Sequence, residues 1–163
     1  MRPCLKKRNP AVNGLLVLAL AAVLQAQTPS PQQTRQMLAR AAEYESLRRY
    51  DLAAEIYVRL TEATPADQVA YSGAKRCLLQ LQQYARLEQL ILQLQTIFRR
   101  MELEADLAEI AFLQGQRKEA VQRWMNLVES NPQSEQVYLL IGATLERYGL
   151  LDEARQVYEL ARR

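Results

Sequence analysis

Histidine is absent from all 163 residues. That removes Ser-His and Cys-His nucleophile pairs and every histidine-bearing metal site. Cysteine is nearly absent too, with only Cys4 and Cys77. Glycine is thin: after Gly14 it occurs only at Gly73, Gly115, Gly142 and Gly149. No GxGxxG or GxxxxGKS/T run is present, so nucleotide binding has no support. Proline is missing from long stretches, and beyond Pro31 it occurs only at Pro65 and Pro132. Strand-type alternation is also missing. What fills the chain is Ala, Leu, Gln, Glu and Arg, all good helix formers.

The N-terminus differs from the rest. Arg2, Lys6, Lys7 and Arg8 form a basic start, and Gly14–Leu24 is an uncharged apolar run. Gln25-Ala26-Gln27 then leads into Thr28-Pro29-Ser30-Pro31. This order reads as a secretory signal peptide over 1–26, cut after Ala26. The alternative is a retained N-terminal anchor, but the run would cross only about half of a ~30 Å hydrocarbon core. Once 1–26 is removed, no transmembrane span is expected. The segment carries four of the 21 basic residues and none of the 18 acidic ones. The remainder therefore holds 17 basic against 18 acidic residues. The sequence pI near 9.0 thus belongs largely to the targeting segment. No basic excess remains to neutralise phosphates, so no nucleic-acid partner is expected. No cysteine follows the apolar run, which gives no sign of a lipid anchor. Cys77, left alone, has no disulfide mate and reads as a packed, inert thiol.

From residue 34 onward the chain repeats itself. Gly115, Ala120 and Trp124 return 34 residues later as Gly149, Ala154 and Tyr158. Ala53, Tyr57 and Pro65 return 67 residues later as Ala120, Trp124 and Pro132. A period of 33 or 34 residues marks stacked helical hairpins. The expected helices span 34–47, 51–63, 67–80, 84–97, 101–113, 117–129, 135–147 and 151–162, after a linker over 27–33. The breaks have physical causes. Proline stops the helices before Pro65 and Pro132, and Gly115 and Gly149 suit the left-handed residue after a helix end. Asp51 and Asp152 sit where a carboxylate meets the positive end of a helix dipole. One hairpin cannot bury its own apolar face, so neighbours must stack.

The residues at these positions resemble the tetratricopeptide repeat (TPR) family. Tyr138-x-x-Ile141-Gly142-x-x-Leu145 followed by Ala154-x-x-x-Tyr158 is the clearest unit. Leu107-Ala108, Gly115, Ala120-x-x-x-Trp124 and Pro132 form another. Ala41-x-x-Tyr44, Tyr50, Ala53-x-x-x-Tyr57 and Pro65 form a third. The second unit departs from the pattern: Tyr71, Leu78 and Tyr84 fit, but Lys75, Leu87 and Arg99 stand in the small, small and proline places. The resemblance implies an all-α, right-handed superhelical stack of antiparallel helix pairs, with about four repeats over 34–67, 68–100, 101–134 and 135–163. Small residues would let paired helices approach, and Tyr57, Trp124 and Tyr158 would fill the space between one pair and the next. Two competing architectures are another helical-pair repeat, with longer periods and more loop glycine, and an ordinary bundle, which lacks the recurrence. The last repeat ends at Arg163 without a capping helix. Either Arg155, Arg162 and Arg163 make that face soluble or the array continues.

The resemblance also implies that the first helix of each pair lines a groove for a protein or peptide segment. Arg35 and Glu45 would come from the first repeat, Arg76 and Leu79 from the second. Glu109 and Phe112 would come from the third and Glu146 from the fourth. The Lys and Asn residues with which some family members clamp a terminal carboxylate are not matched. Mixed charge with apolar spots suggests side-chain recognition. Glu102, Asp106 and Glu109 share one helical face. They read either as a cation site or, as favoured here, as a solvated acidic face. Swapping charges with Arg76→Glu and Glu109→Arg is then expected to alter binding and leave stability alone.

These readings converge on an exported, non-catalytic binding scaffold in a bacterial envelope or periplasm. No cofactor, metal or small-molecule substrate is expected. The alternatives are a self-associating homo-oligomeric array, a segment of a larger envelope protein, or a module accessory to an enzyme.

Overall fold

A computed structural model describes residues 29–162, and residues 1–26, the expected signal peptide, lie outside them. Those residues form eight α-helices and no strand. They are α1 (Pro31–Ser46), α2 (Tyr50–Ala63), α3 (Gln68–Gln80), α4 (Tyr84–Ile97), α5 (Met101–Leu113), α6 (Arg117–Ser130), α7 (Glu135–Arg147) and α8 (Leu151–Leu160). Sequence and structure agree closely, with one correction at the start. The linker expected over 27–33 gives way to helix at Pro31. Ser30 accepts from the Gln33 N–H while the Gln33 side chain returns to the Ser30 N–H, and proline fills the first helical position. That reciprocal cap satisfies two stranded donors, and the proline ring presets the helical φ.

The chain divides into two compact units inside α3, between Ala74 and Lys75. In the first, α1 packs on α2, and Ala41, Ala53 and Ala54 are fully buried. Asp67 caps α3 by accepting from Val69 and Ala70 N–H groups at 2.9 and 3.1 Å. Gly73 lies under the ring of Tyr57, where a methyl group would collide with the aromatic carbons.

In the second unit α5 packs on α6 and α7 on α8. Alternate helices also touch, α5 with α7 and α6 with α8. This is hairpin stacking, with first helix on first helix and second on second. Ala108, Ala120, Trp124, Ile141, Leu145 and Val157 form its core with almost no exposure. Trp124 reaches in both directions. Its Nε1–H donates to the Ala105 carbonyl at 3.1 Å, and its ring meets Phe112 of its own hairpin and Tyr148 beyond α7. Tyr158 lays its ring over Gly142 of its own hairpin, where only glycine leaves room for it.

Within each helix pair the turn has one geometry, repeated four times. Arg48, Gln82, Gly115 and Gly149 all have positive φ (57°, 55°, 87° and 70°). Arg49, Gln83, Gln116 and Leu150 N–H groups each reach back five residues, to the carbonyls of Tyr44, Leu78, Ala111 and Leu145. This closure satisfies carbonyls that a helix end leaves unpaired. Glycine announces two of the four turns. The other two impose the same conformation on side-chain-bearing residues at a cost.

Candidate functional site

The face of the first helices in the second unit is held by a buried polar chain. Lys75, from α3, places its ammonium between the carboxylates of Asp106 and Glu109 on α5. Its Nζ is 2.6 Å from Glu109 Oε2. Tyr148, just past α7, donates its hydroxyl to Glu109 Oε1 at 2.5 Å. The Arg147 guanidinium stands 3.6 Å from the same oxygen. At the other end of the helices, Gln136 Nε2 donates to Glu102 at 3.1 Å. Three successive first helices are therefore tied side by side through their own side chains.

The electrostatics follow from burial. Asp106 is 9 % exposed and Glu109 is 2 % exposed. Burial opposes the charge on Glu109, but the ammonium of Lys75 and the hydroxyl of Tyr148 outweigh it and hold its pKa below the usual carboxylate value. Burial likewise opposes the charge on Lys75, and the two carboxylates outweigh it and raise its pKa. Tyr148 is pushed well above the ordinary tyrosine range by burial and by its bond to Glu109. No buried side-chain nitrogen or oxygen among the described residues lacks a partner.

This corrects the reading of the acidic trio. Asp106 and Glu109 are not a solvated face. The cation they hold is the chain's own Lys75, the residue that breaks the repeat pattern. A long stem is accommodated in a small-residue place because its charged tip is met there by two carboxylates. Glu109 consequently does not line an open groove. Reversing its charge strikes a buried ion pair, so a loss of stability is expected from that change.

The other expected groove residues are placed as follows. Arg35 and Glu45 lie in the first unit, Arg35 exposed and Glu45 half-buried. Glu45 accepts from the Tyr57 hydroxyl at 3.2 Å. In the second unit Arg76 and Glu146 are exposed and Leu79 is half-buried. Phe112 is committed inward, with its ring centroid 4.7 Å from that of Tyr148 and 5.8 Å from that of Trp124. Glu135, Gln136 and Leu140 on α7 are residues that sequence reasoning missed. A cleft of about 630 Å³ is lined by Glu102, Glu135, Gln136, Leu139 and Leu140. Leu139 is 57 % exposed there. The signal available in the sequence is Leu139, which the family resemblance puts on the same side of α7 as Glu146.

Among the described residues no group of three or more His, Cys, Asp or Glu is arranged to hold a metal ion. No described helix is long and apolar enough to cross a membrane. Cys77 is a buried thiol.

No protein-family model and no curated protein matches this chain. Solved structures do. MamA is similar at a TM-score of 0.51 with 17 % identity, over 86 % of this chain and 81 % of that one. MamA from residue 41 to its end, of Desulfovibrio magneticus RS-1, is similar at 0.51 with 14 % identity, over 81 % of this chain and 77 % of that one. YrrB, described as a TPR protein with an unusual peptide-binding site, is similar at 0.45 with 20 % identity, over 77 % of this chain and 65 % of that one, too low a score to carry a conclusion. The likeness to MamA shows the fold, which is an all-α helical-hairpin repeat of the TPR type.

Proposed function

We propose that this chain is a non-catalytic scaffold that holds a segment of a partner protein along its row of first helices. The observation that carries the reading is the side-by-side lashing of α3, α5 and α7 by Lys75, Asp106, Glu109, Gln136 and Tyr148. A surface fixed by its own buried network needs little reordering when a ligand arrives, and less ordering means tighter binding for a given area. Arg76 and Glu146 supply opposite charges on that surface, and the exposed Leu139 supplies an apolar contact in its cleft. Mixed charge around apolar spots suits side-chain recognition of a peptide segment. The N-terminal segment supports export to a bacterial periplasm or envelope, where such a scaffold would join components of an assembly.

The test uses the full chain with a C-terminal tag, expressed from its own start in a Gram-negative host. Fractionation and intact mass come first. A periplasmic protein beginning at Gln27 is expected, and a cytoplasmic protein beginning at Met1 contradicts the export reading. Mild crosslinking and capture then compare the parent with Arg76→Glu/Glu146→Arg, both exposed positions. A partner held by the parent and lost from the folded variant supports the first-helix surface. Equal capture by both removes that surface from the reading, and capture of the chain by itself alone favours a self-associating array.

A further inference from the structure

We infer that a second site, a cleft at the joint between α4 and α5, binds a short acidic segment of a protein through Arg99, Arg100 and Arg123. The cleft has a volume of about 570 Å³, within the range of small-ligand sites. It is built where the chain departs from its own repeat. The other two joints between hairpins carry Pro65 and Pro132. Here Phe98 (φ −128°, ψ 129°) and Arg100 (φ −115°, ψ 133°) are extended instead, and Arg99 and Arg100 line the opening.

The cationic groups are oriented. The Arg100 guanidinium carbon lies 4.5 Å from the centroid of the Phe98 ring, a cation–π contact that fixes a long side chain. Arg123 enters from α6 on the opposite wall, with Asn126 beside it. Arg123 Nη2 pairs with Glu119 at 2.6 Å. That contact engages one nitrogen of a group that carries five N–H donors, and the pair is about half exposed. The Asn126 carbonyl oxygen already accepts from Gln122, so its amide N–H groups are what it has to offer a ligand. Glu104 is the one carboxylate in the lining among the described residues. Guanidinium forks match carboxylates in a planar, two-pronged fashion. Three of them around one opening therefore select neighbouring carboxylates.

Charge distribution favours protein over nucleic acid. Residues 27–163 carry 17 basic and 18 acidic side chains, which leaves no positive excess to follow successive phosphates, whereas Arg99, Arg100 and Arg123 meet at one opening. The site is also separate from the first-helix surface. On α5, Glu104 and Leu107 line this cleft, whereas Glu102 lines the one beside α7; Glu102 stands two and five residues from them, about 160° and about 140° around the helix at 3.6 residues per turn.

The test measures fluorescence anisotropy of a labelled hexaglutamate peptide with the full chain, beside a hexaglutamine peptide and an oligothymidine of similar length. Hexaglutamate binding is expected, weakening between about 50 and about 200 mM salt as for any charge-driven contact. Arg99→Gln/Arg123→Gln should weaken it roughly tenfold, equivalent to about 1.4 kcal/mol, with an unchanged circular dichroism spectrum. Arg76→Glu/Glu146→Arg should leave it intact. Arg99→Glu alone, at an exposed turn residue, supplies a second test should the double variant unfold. Equal binding of hexaglutamine, retained affinity in the arginine variants, or loss in the first-helix variant instead would each overturn the proposal. Tighter binding of oligothymidine than of hexaglutamate would transfer the site to nucleic acid.

Discussion

The hairpin of α3 and α4 and the hairpin of α5 and α6 occupy the same register of one repeat, yet they fill it with different chemistry. In the later hairpin the register holds Ala108, Gly115, Ala120 and Pro132. In the earlier one the same places hold Lys75, Gln82, Leu87 and Arg99. At the turn and at the helix crossing the backbone barely registers the change. Gln82 takes the left-handed conformation that Gly115 takes, and Leu87 is as fully buried as Ala120. What changes is the polar content. Lys75 lashes the first helices together, and Arg99 helps open a cationic cleft. A repeat specifies a scaffold through the residues that conform, and its departures are where individual chemistry enters.

The largest effect expected from breaking this comparison is at Ala120, which is fully buried at a close helix crossing. Ala120→Arg forces a long charge into that contact and should cost about 4 kcal/mol or more. Thermal melting by circular dichroism should show early loss of helix, and a melt superimposable on the parent's would break the register that equates Ala120 with Leu87.

Next is Lys75. Replacing it by alanine restores the residue type of Ala41 and Ala108, so pattern alone predicts a gain. The structure predicts a loss of about 3–5 kcal/mol, because two buried carboxylates lose their cation. The pH profile sharpens the point. Glu109 is held below its ordinary 4.5, so its contribution is complete above pH 4.5 and is lost as the pH falls through its folded pKa. Lys75 is held above its ordinary 10.5, so its contribution is complete below pH 10.5 and is lost as the pH rises through its folded pKa. Melting temperature should thus stay flat between these values with respect to this pair and fall below pH 4.5. Glu109→Gln should make that acid limb shallower, and an unaltered limb would remove the ion pair from the account.

The smallest effect is at the turns. Gln82→Gly and Arg48→Gly relieve a left-handed conformation and should each raise stability by about 1 kcal/mol. Gly149→Ala should lower it by a similar amount. Denaturant midpoints check both, and a loss in either glycine variant would show that the side chains of Arg48 and Gln82 contribute more than the strain removes.

The helices were legible because their punctuation is local. Pro65 and Pro132 stop helices by ring geometry, Gly115 and Gly149 release a positive φ, and apolar residues recur at helical spacing. The helix α1 starts three residues before the expected residue 34, because Pro31 stands at the first helical position behind a Ser30 cap and not in a linker. The site was less legible. Arg76 and Glu146, which the family resemblance assigns to a groove, are exposed. Glu109 and Phe112 share that assignment but are occupied by partners that arrive from 34 to 39 residues away. No local pattern marks such meetings.

By itself the sequence determined the number and order of the described helices and most of their ends, since propensity, capping and chain stiffness act within a few residues of one another. It also determined that small residues and aromatics would alternate at the crossings. Only the tertiary structure decided which charges face water. Lys75, Asp106 and Glu109 are each ordinary surface residues by composition. They become a buried ion cluster because stacking brings α3 beside α5, and a charge removed from water persists only where an opposite charge meets it.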